Sequence, residues 1–230
     1  MTGELFTPLR RLSPNAKSIM CLAGICGMAY LVSVLQQPFS LLDLYQGCMV
    51  EVSERVVLPA NLILFCMGCA RFGAFERVRR NPTDEFRLNA LWSVFVSVVV
   101  SLIVWCVFII ANVLKESLND PRQWVLCTIM LAQLFMMNMS VTLAVWLLMN
   151  MGMDWGQVLP PIIVVFIIAD FCLKPMAGDL TRYAFYFWYP ISDSWVTVFV
   201  RQVLPFIGYC MLMAMMNMAA FHRADRLRLT

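Results

Sequence analysis

The side chains best suited to chemistry in this 230-residue chain are few and scattered. The single histidine, His222, stands beside Arg223 at the end of the last apolar run. A serine–histidine pair or a histidine-held metal needs an imidazole inside the helical bundle, so neither chemistry is expected. Nine cysteines include the spacing Cys66-Met-Gly-Cys69. That spacing suits a metal or a redox dithiol only in company, and no second pair or clustered histidine completes it. Most of the cysteines lie within apolar runs, where the residue acts as a small hydrophobe. No GxxxxGK[ST] phosphate loop is present, so ATP hydrolysis by that route is excluded. The sequon Asn138-Met-Ser140 lies within an apolar run, and Pro82 disqualifies the one at Asn81. No paired carboxylates are placed for acid–base work, and an enzyme is not expected.

Polar groups inside apolar runs remain as candidates. Asp170 is an acid set well into one of them, and intramembrane acids are functional candidates by default. Lys174 follows four residues later and could pair with it on one helix face, so a structural role and a path-lining role both stand. Asn112, Asn138, Asn150 and Asn217 fit hydrogen bonds between helices better than an ion site. Asp170, Asn138 and Asn217 are the candidate polar points of a translocation path. Met136, Met137, Met139, Met211, Met213, Met215, Met216 and Met218 concentrate the methionines in two runs. They read as apolar filler, or as a compliant wall for an apolar peptide or lipid.

The elements that must position these groups are membrane helices. Hydrophobic residues make up 61% of the chain and charged residues 13%, against about 25% charged in a soluble domain. Lipid-facing helix surface absorbs that excess, whereas a soluble core cannot. The sequence predicts a single all-α integral membrane domain with six spans. They cover about Ser18–Gln36, Val50–Ala70, Leu88–Leu114, Trp124–Met149, Val158–Leu173 and Gln202–Phe221. The first apolar run is too long for a signal h-region and is expected to stay as a span. Residues 1–17 form a cytoplasmic interfacial segment and residues 222–230 a cytoplasmic tail. The apolar, aromatic stretch Ala177–Val200 is interrupted by Asp179, Arg182, Pro190 and Asp193, which suits a re-entrant or interfacial hairpin. Orientation follows from basic residues. Arg10, Arg11, Lys17, Arg71, Arg77, Arg79, Arg80, Arg87, Arg223, Arg226 and Arg228 share one side. They outnumber Arg55, Lys115, Arg122, Lys174, Arg182 and Arg201, so both termini are expected in the cytoplasm.

The segment Arg71–Arg87 is the most informative. Phe72, Phe75 and Val78 share a helical face, while Glu76, Arg79 and Arg80 turn elsewhere. Asn81-Pro82 ends that turn, and Thr83-Asp84-Glu85 opens the next helix with a cap and early acids. A short amphipathic helix on the membrane face between spans two and three is the result. Topology alone explains the arginines but not the phenylalanines.

With this loop, the basic N-terminal segment, the aromatic Tyr183–Trp195 stretch and the ending Phe221-His-Arg-Ala-Asp225, the chain resembles a permease of the ABC-2 type of ATP-binding cassette transporter. It is most similar to the small six-span permeases that export lantibiotics and other bacteriocins or give immunity to them. Tyr189-Pro190, Trp195 and Arg201 resemble their outer segment before the last span. The resemblance implies a coupling helix at Phe72–Arg80, with Phe72 or Phe75 as an apolar plug and Arg77, Arg79 and Arg80 on an acidic rim. It implies a separate ABC ATPase subunit, which binds ATP and magnesium, and no cofactor in this chain. It also implies a second permease chain, identical or paralogous, a lipid environment in the cytoplasmic membrane, and no nucleic acid. The loop Asn150–Gln157 lacks basic residues, unlike a second docking point. Rival readings are a six-span scaffold or accessory subunit, a lipid-modifying enzyme, and a secondary transporter. The last two lack clustered acids and an internal repeat, respectively.

Overall fold

A computed structural model describes residues 14–36, 40–69, 82–115, 118, 120–168, 190–191 and 194–229. Among these the chain is helical and contains no strand. The elements are α1 (Pro14–Leu35), then α2 (Leu41–Gly47), π1 (Cys48–Val57) and α3 (Leu58–Gly68) as one uninterrupted helix. α4 (Pro82–Leu114), α5 (Pro121–Asn150) and α6 (Trp155–Ile168) follow. The chain closes with α7 (Trp195–Val198), π2 (Phe199–Val203) and α8 (Leu204–Leu229), again continuous.

Three helices are long and apolar enough to cross a membrane: Thr83–Leu114, Pro121–Asn150 and Trp195–Arg223. At about 1.5 Å per residue each exceeds the ~30 Å hydrocarbon core. They correspond to the third, fourth and last spans expected from the sequence. α6 is a shorter apolar helix.

Capping residues set several boundaries. Asp120 opens α5 by accepting the Arg122 N–H at 3.0 Å, while Gln123 Oε1 accepts the Asp120 N–H at 2.9 Å. Pro121 takes the first helical position, where no donor is needed. α4 starts at Pro82, as Asn81-Pro82-Thr83 suggested. The last helix starts at Trp195, seven residues before the expected Gln202, because Ser194 Oγ caps it by accepting the Thr197 N–H at 3.3 Å. Trp195–Val200, read from sequence as part of an aromatic hairpin, therefore belongs to this helix; residues 177–189 lie outside the described residues. At its far end α5 stops where Gly152 takes a φ of 100° and donates to the Met149 carbonyl at 3.2 Å.

Both π segments have the same cause. π1 ends in Arg55-Val-Val-Leu-Pro59 and π2 in Arg201-Gln-Val-Leu-Pro205. In an α-helix each proline ring would strike the carbonyl four residues back, that of Arg55 or Arg201. Widening the turn ahead of the proline avoids this: Leu58 N–H reaches the Ser53 carbonyl and Leu204 N–H the Phe199 carbonyl, both five residues back. Ser53 Oγ also donates to the Cys48 carbonyl at 2.8 Å, holding the wide turn. Val50–Gly68, most of the span expected at Val50–Ala70, is thus part of a longer helix from Leu41 that carries Glu51, Glu54 and Arg55. Glu54 is 5% exposed, a buried acid in this helix that the sequence reading did not single out.

α5 lies at the centre. In its most apolar stretch 67% of residues are buried, against 33% for α4 and 17% for the last helix. α3, α4 and α8 all pack on it. Contacts fix the directions. Lys115, at the end of α4, donates its ammonium to the Leu35 carbonyl at the end of α1, a favourable place for a cation. Phe86, near the start of α4, meets Trp146 late in α5 and Phe221 late in α8. α4 therefore runs antiparallel to α5, and α8 runs parallel to it. Leu91, Val94, Leu102 and Ile103 on α4, and Met211, Leu212 and Met215 on α8, face outward.

Candidate functional site

Nine of the buried or half-buried polar side chains form three tiers on α5. In the first, Gln133 accepts the Tyr45 hydroxyl from α2 and donates Nε2 to Gln202 Oε1 in π2 at 2.9 Å. Tyr45, Gln133 and Gln202 are all 0% exposed. In the second, Asn61 of α3 donates Nδ2 to Thr142 Oγ1 at 2.8 Å and to the Asn138 carbonyl at 3.4 Å. Asn138 in turn donates Nδ2 to Ser101 Oγ of α4 at 3.0 Å. In the third, Asn150 Nδ2 donates to Asn217 Oδ1 of α8 at 2.9 Å, and Asn217 Nδ2 donates to the Leu143 carbonyl at 3.2 Å. Between the tiers, the Tyr209 hydroxyl donates to the Ser140 carbonyl at 2.9 Å. Polar groups shielded from water gain from such pairing, because the alternative is an unsatisfied dipole in an apolar medium.

The π segment makes the first two tiers compatible. Sixteen residues separate Tyr45 from Asn61, and at about 100° per residue an all-α helix would turn them about 160° apart. With about 4.4 residues per turn through the ten residues of π1, the two come within about 20° of each other. Both can then face α5 from one helix. The close approach of α1 supports the same stretch: a Cβ on Gly27 would lie 2.7 Å from Val56 Cγ1. Gly27 therefore marks a tight contact between α1 and π1.

α4 presents a row of buried polar residues at every fourth position, Glu85, Asn89, Ser93, Ser97 and Ser101. Ser101 Oγ donates to the Ser97 carbonyl at 2.7 Å and Ser93 Oγ to the Ala90 carbonyl at 2.8 Å. Small serines on this face let α4 approach α5 closely, while its outward face stays apolar.

Of the residues expected to matter, Asn138 and Asn217 are 0% exposed and bond between helices. Asn150 does the same, whereas Asn112 donates to the Phe108 carbonyl of its own helix at 2.8 Å. Phe72, Phe75, Arg77, Arg79, Arg80 and Asp170 lie outside the described residues. Cys66 Sγ lies 3.8 Å from Met149 Sδ, and the glycine of Cys66-Met-Gly-Cys69 has a packing reason: a Cβ on Gly68 would fall on the Trp92 indole. Among the described residues no group of three or more His, Cys, Asp or Glu side chains could hold a metal. The methionines divide. Met136, Met137 and Met139 are core, and Met211, Met215, Met216 and Met218 are exposed. Sequence reading missed Tyr45, Asn61, Gln133 and Gln202. Their one signal is a polar side chain inside an apolar run.

Comparison with protein-family models, with curated proteins and with solved structures finds no match. What the described site can do chemically follows from its groups alone. Neutral amides and hydroxyls fix helix register and pass movement from one helix to the next; they are poor nucleophiles and bases.

Proposed function

We propose that this chain is the permease subunit of an ABC-2 type transporter, moving a peptide or amphipathic substrate across the cytoplasmic membrane. In this reading it has six spans with both termini in the cytoplasm and pairs with a second permease chain. A separate ATPase holds the ATP and magnesium and does the hydrolysis. The observation that carries the reading is the packing of Phe86, near the end of the Arg71–Arg87 segment. It lies on α4 against Trp146 and Phe221, so a push on that segment would reach both α5 and α8. The basic residue Arg223 follows two positions after Phe221, the α8 residue that Phe86 touches. The outward apolar faces of α4 and α8 suit lipid or a second membrane chain.

The test is co-purification. The chain is expressed with an ATPase encoded in a neighbouring reading frame and captured by a tag. Wild type should retain the ATPase, and a Phe75→Asp, Arg79→Glu double variant should lose it. Wild type alone on the resin, or a variant that retains the ATPase fully, would favour a membrane scaffold or accessory subunit.

A further inference from the structure

In and beside the second tier, three oxygens receive no hydrogen bond from the described residues: Asn61 Oδ1, Asn138 Oδ1 and Ser97 Oγ. All three residues are 0% exposed. They belong to one connected network, since Asn61 bonds the Asn138 carbonyl, Asn138 bonds Ser101, and Ser101 bonds the Ser97 carbonyl one turn away.

Turning the amides over does not satisfy them. Asn61 must present Nδ2 to the Asn138 carbonyl, which only accepts. Ser101 has spent its one proton on the Ser97 carbonyl, so it too can only accept, and Asn138 must offer it Nδ2. The two amide oxygens are therefore true acceptors that need a donor. Ser97, one turn from Ser101 on α4, has a hydroxyl proton to give.

We propose that the junction of α3, α4 and α5 binds one ordered water molecule. It donates to Asn61 Oδ1 and Asn138 Oδ1 and accepts the Ser97 hydroxyl proton. Water is the ligand whose two donors and free lone pair match this set. A monovalent cation also favours amide oxygens, but the network brings no carboxylate to offset its charge in an apolar interior. Buried waters commonly make about three such bonds. The inference stands on the described interior and does not depend on the transport reading.

Ser97→Ala decides it, because the change removes one hydroxyl and leaves almost no cavity. With water bound, the purified protein in detergent should lose about 2–4 °C in Tm. Ser93→Ala, which removes a hydroxyl bonded within its own helix, is the control and should stay near wild type. Ser97→Ala and Asn61→Ala should also be non-additive, although no direct bond joins them. A Ser97→Ala variant as stable as wild type or more so would overturn the assignment, as would additive losses. Stabilisation by sodium chloride over choline chloride at equal ionic strength would make the ligand a cation and overturn it equally.

Discussion

The ring of Phe86 lies 4.8 Å, centroid to centroid, from that of Trp146, with the planes tilted by 33°. The Phe221 ring lies 5.7 Å from that of Phe86. One residue near the start of α4 thus touches the far ends of both α5 and α8. Phe86→Ala removes both contacts. A half-buried aromatic lost from such a cluster should cost about 2 kcal/mol, below the full core value. On the transporter reading the chain should still capture its ATPase while transport falls, since docking and transmission are separate steps. Thermal unfolding together with a vesicle transport assay separates the two; unchanged Tm and unchanged transport would remove Phe86 from the mechanism.

Gln133→Leu tests the first tier. The change strips the Tyr45 hydroxyl of its closest partner and removes the bond to Gln202, both inside the bundle. Losing the partner of a buried polar group costs roughly 1–3 kcal/mol for each group stranded. A Tyr45→Phe, Gln133→Leu double variant should regain part of the loss, because it strands one group fewer. Tm values for the set check this. A single variant at wild-type stability would mean that the tier holds nothing together.

How much of this was legible in the sequence depends on how local each signal is. The start of α4 at Pro82 and the acids after it are written in consecutive residues, and so is the capping box at Asp120. The start of the last helix at Trp195 was concealed because aromatic and acidic neighbours read as an interfacial hairpin, while its cap is a lone serine. The π segments left no trace in hydrophobic periodicity. Their trace is the shared Arg-x-Val-Leu-Pro ending, which matters only once the proline clash is placed in three dimensions. The polar tiers were hidden for another reason: Tyr45 and Gln133 are 88 positions apart, so each looked like an isolated polar residue. The loop phenylalanines and arginines that carried the functional reading lie outside the described residues.

Gly68→Ala should be among the most damaging small changes. Its new methyl would collide with the Trp92 indole, whose Nε1 donates to the Phe65 carbonyl at 3.2 Å. Either the indole swings out and that carbonyl bond breaks, or α3 and α4 separate; overpacking of this kind costs about 1–3 kcal/mol. Pairing it with Trp92→Leu relieves the collision, so the double variant should lose less than the sum of the singles. Additive losses would show that Gly68 matters for some reason other than Trp92.

Orientation can be read from the two ends of α5. Arg122 and Met151 are both exposed and lie near opposite ends of a helix of 30 residues, which at about 1.5 Å per residue is longer than the hydrocarbon core. Cys21, Cys48, Cys66, Cys69, Cys106, Cys127 and Cys210 are free thiols, so a cysteine-free background removes no covalent link among them. In that background, Arg122→Cys should react with a membrane-impermeant maleimide added to intact cells. Met151→Cys should react only after the cells are opened. The asymmetry is what the arginine excess of the Arg71–Arg87 segment and the C-terminal tail predicts for the six-span reading, in which those segments face the cytoplasm. Equal labelling of both, or the reverse order, would break the expected six-span orientation, and with it the placement of the Arg-rich loop where an ATPase could reach it.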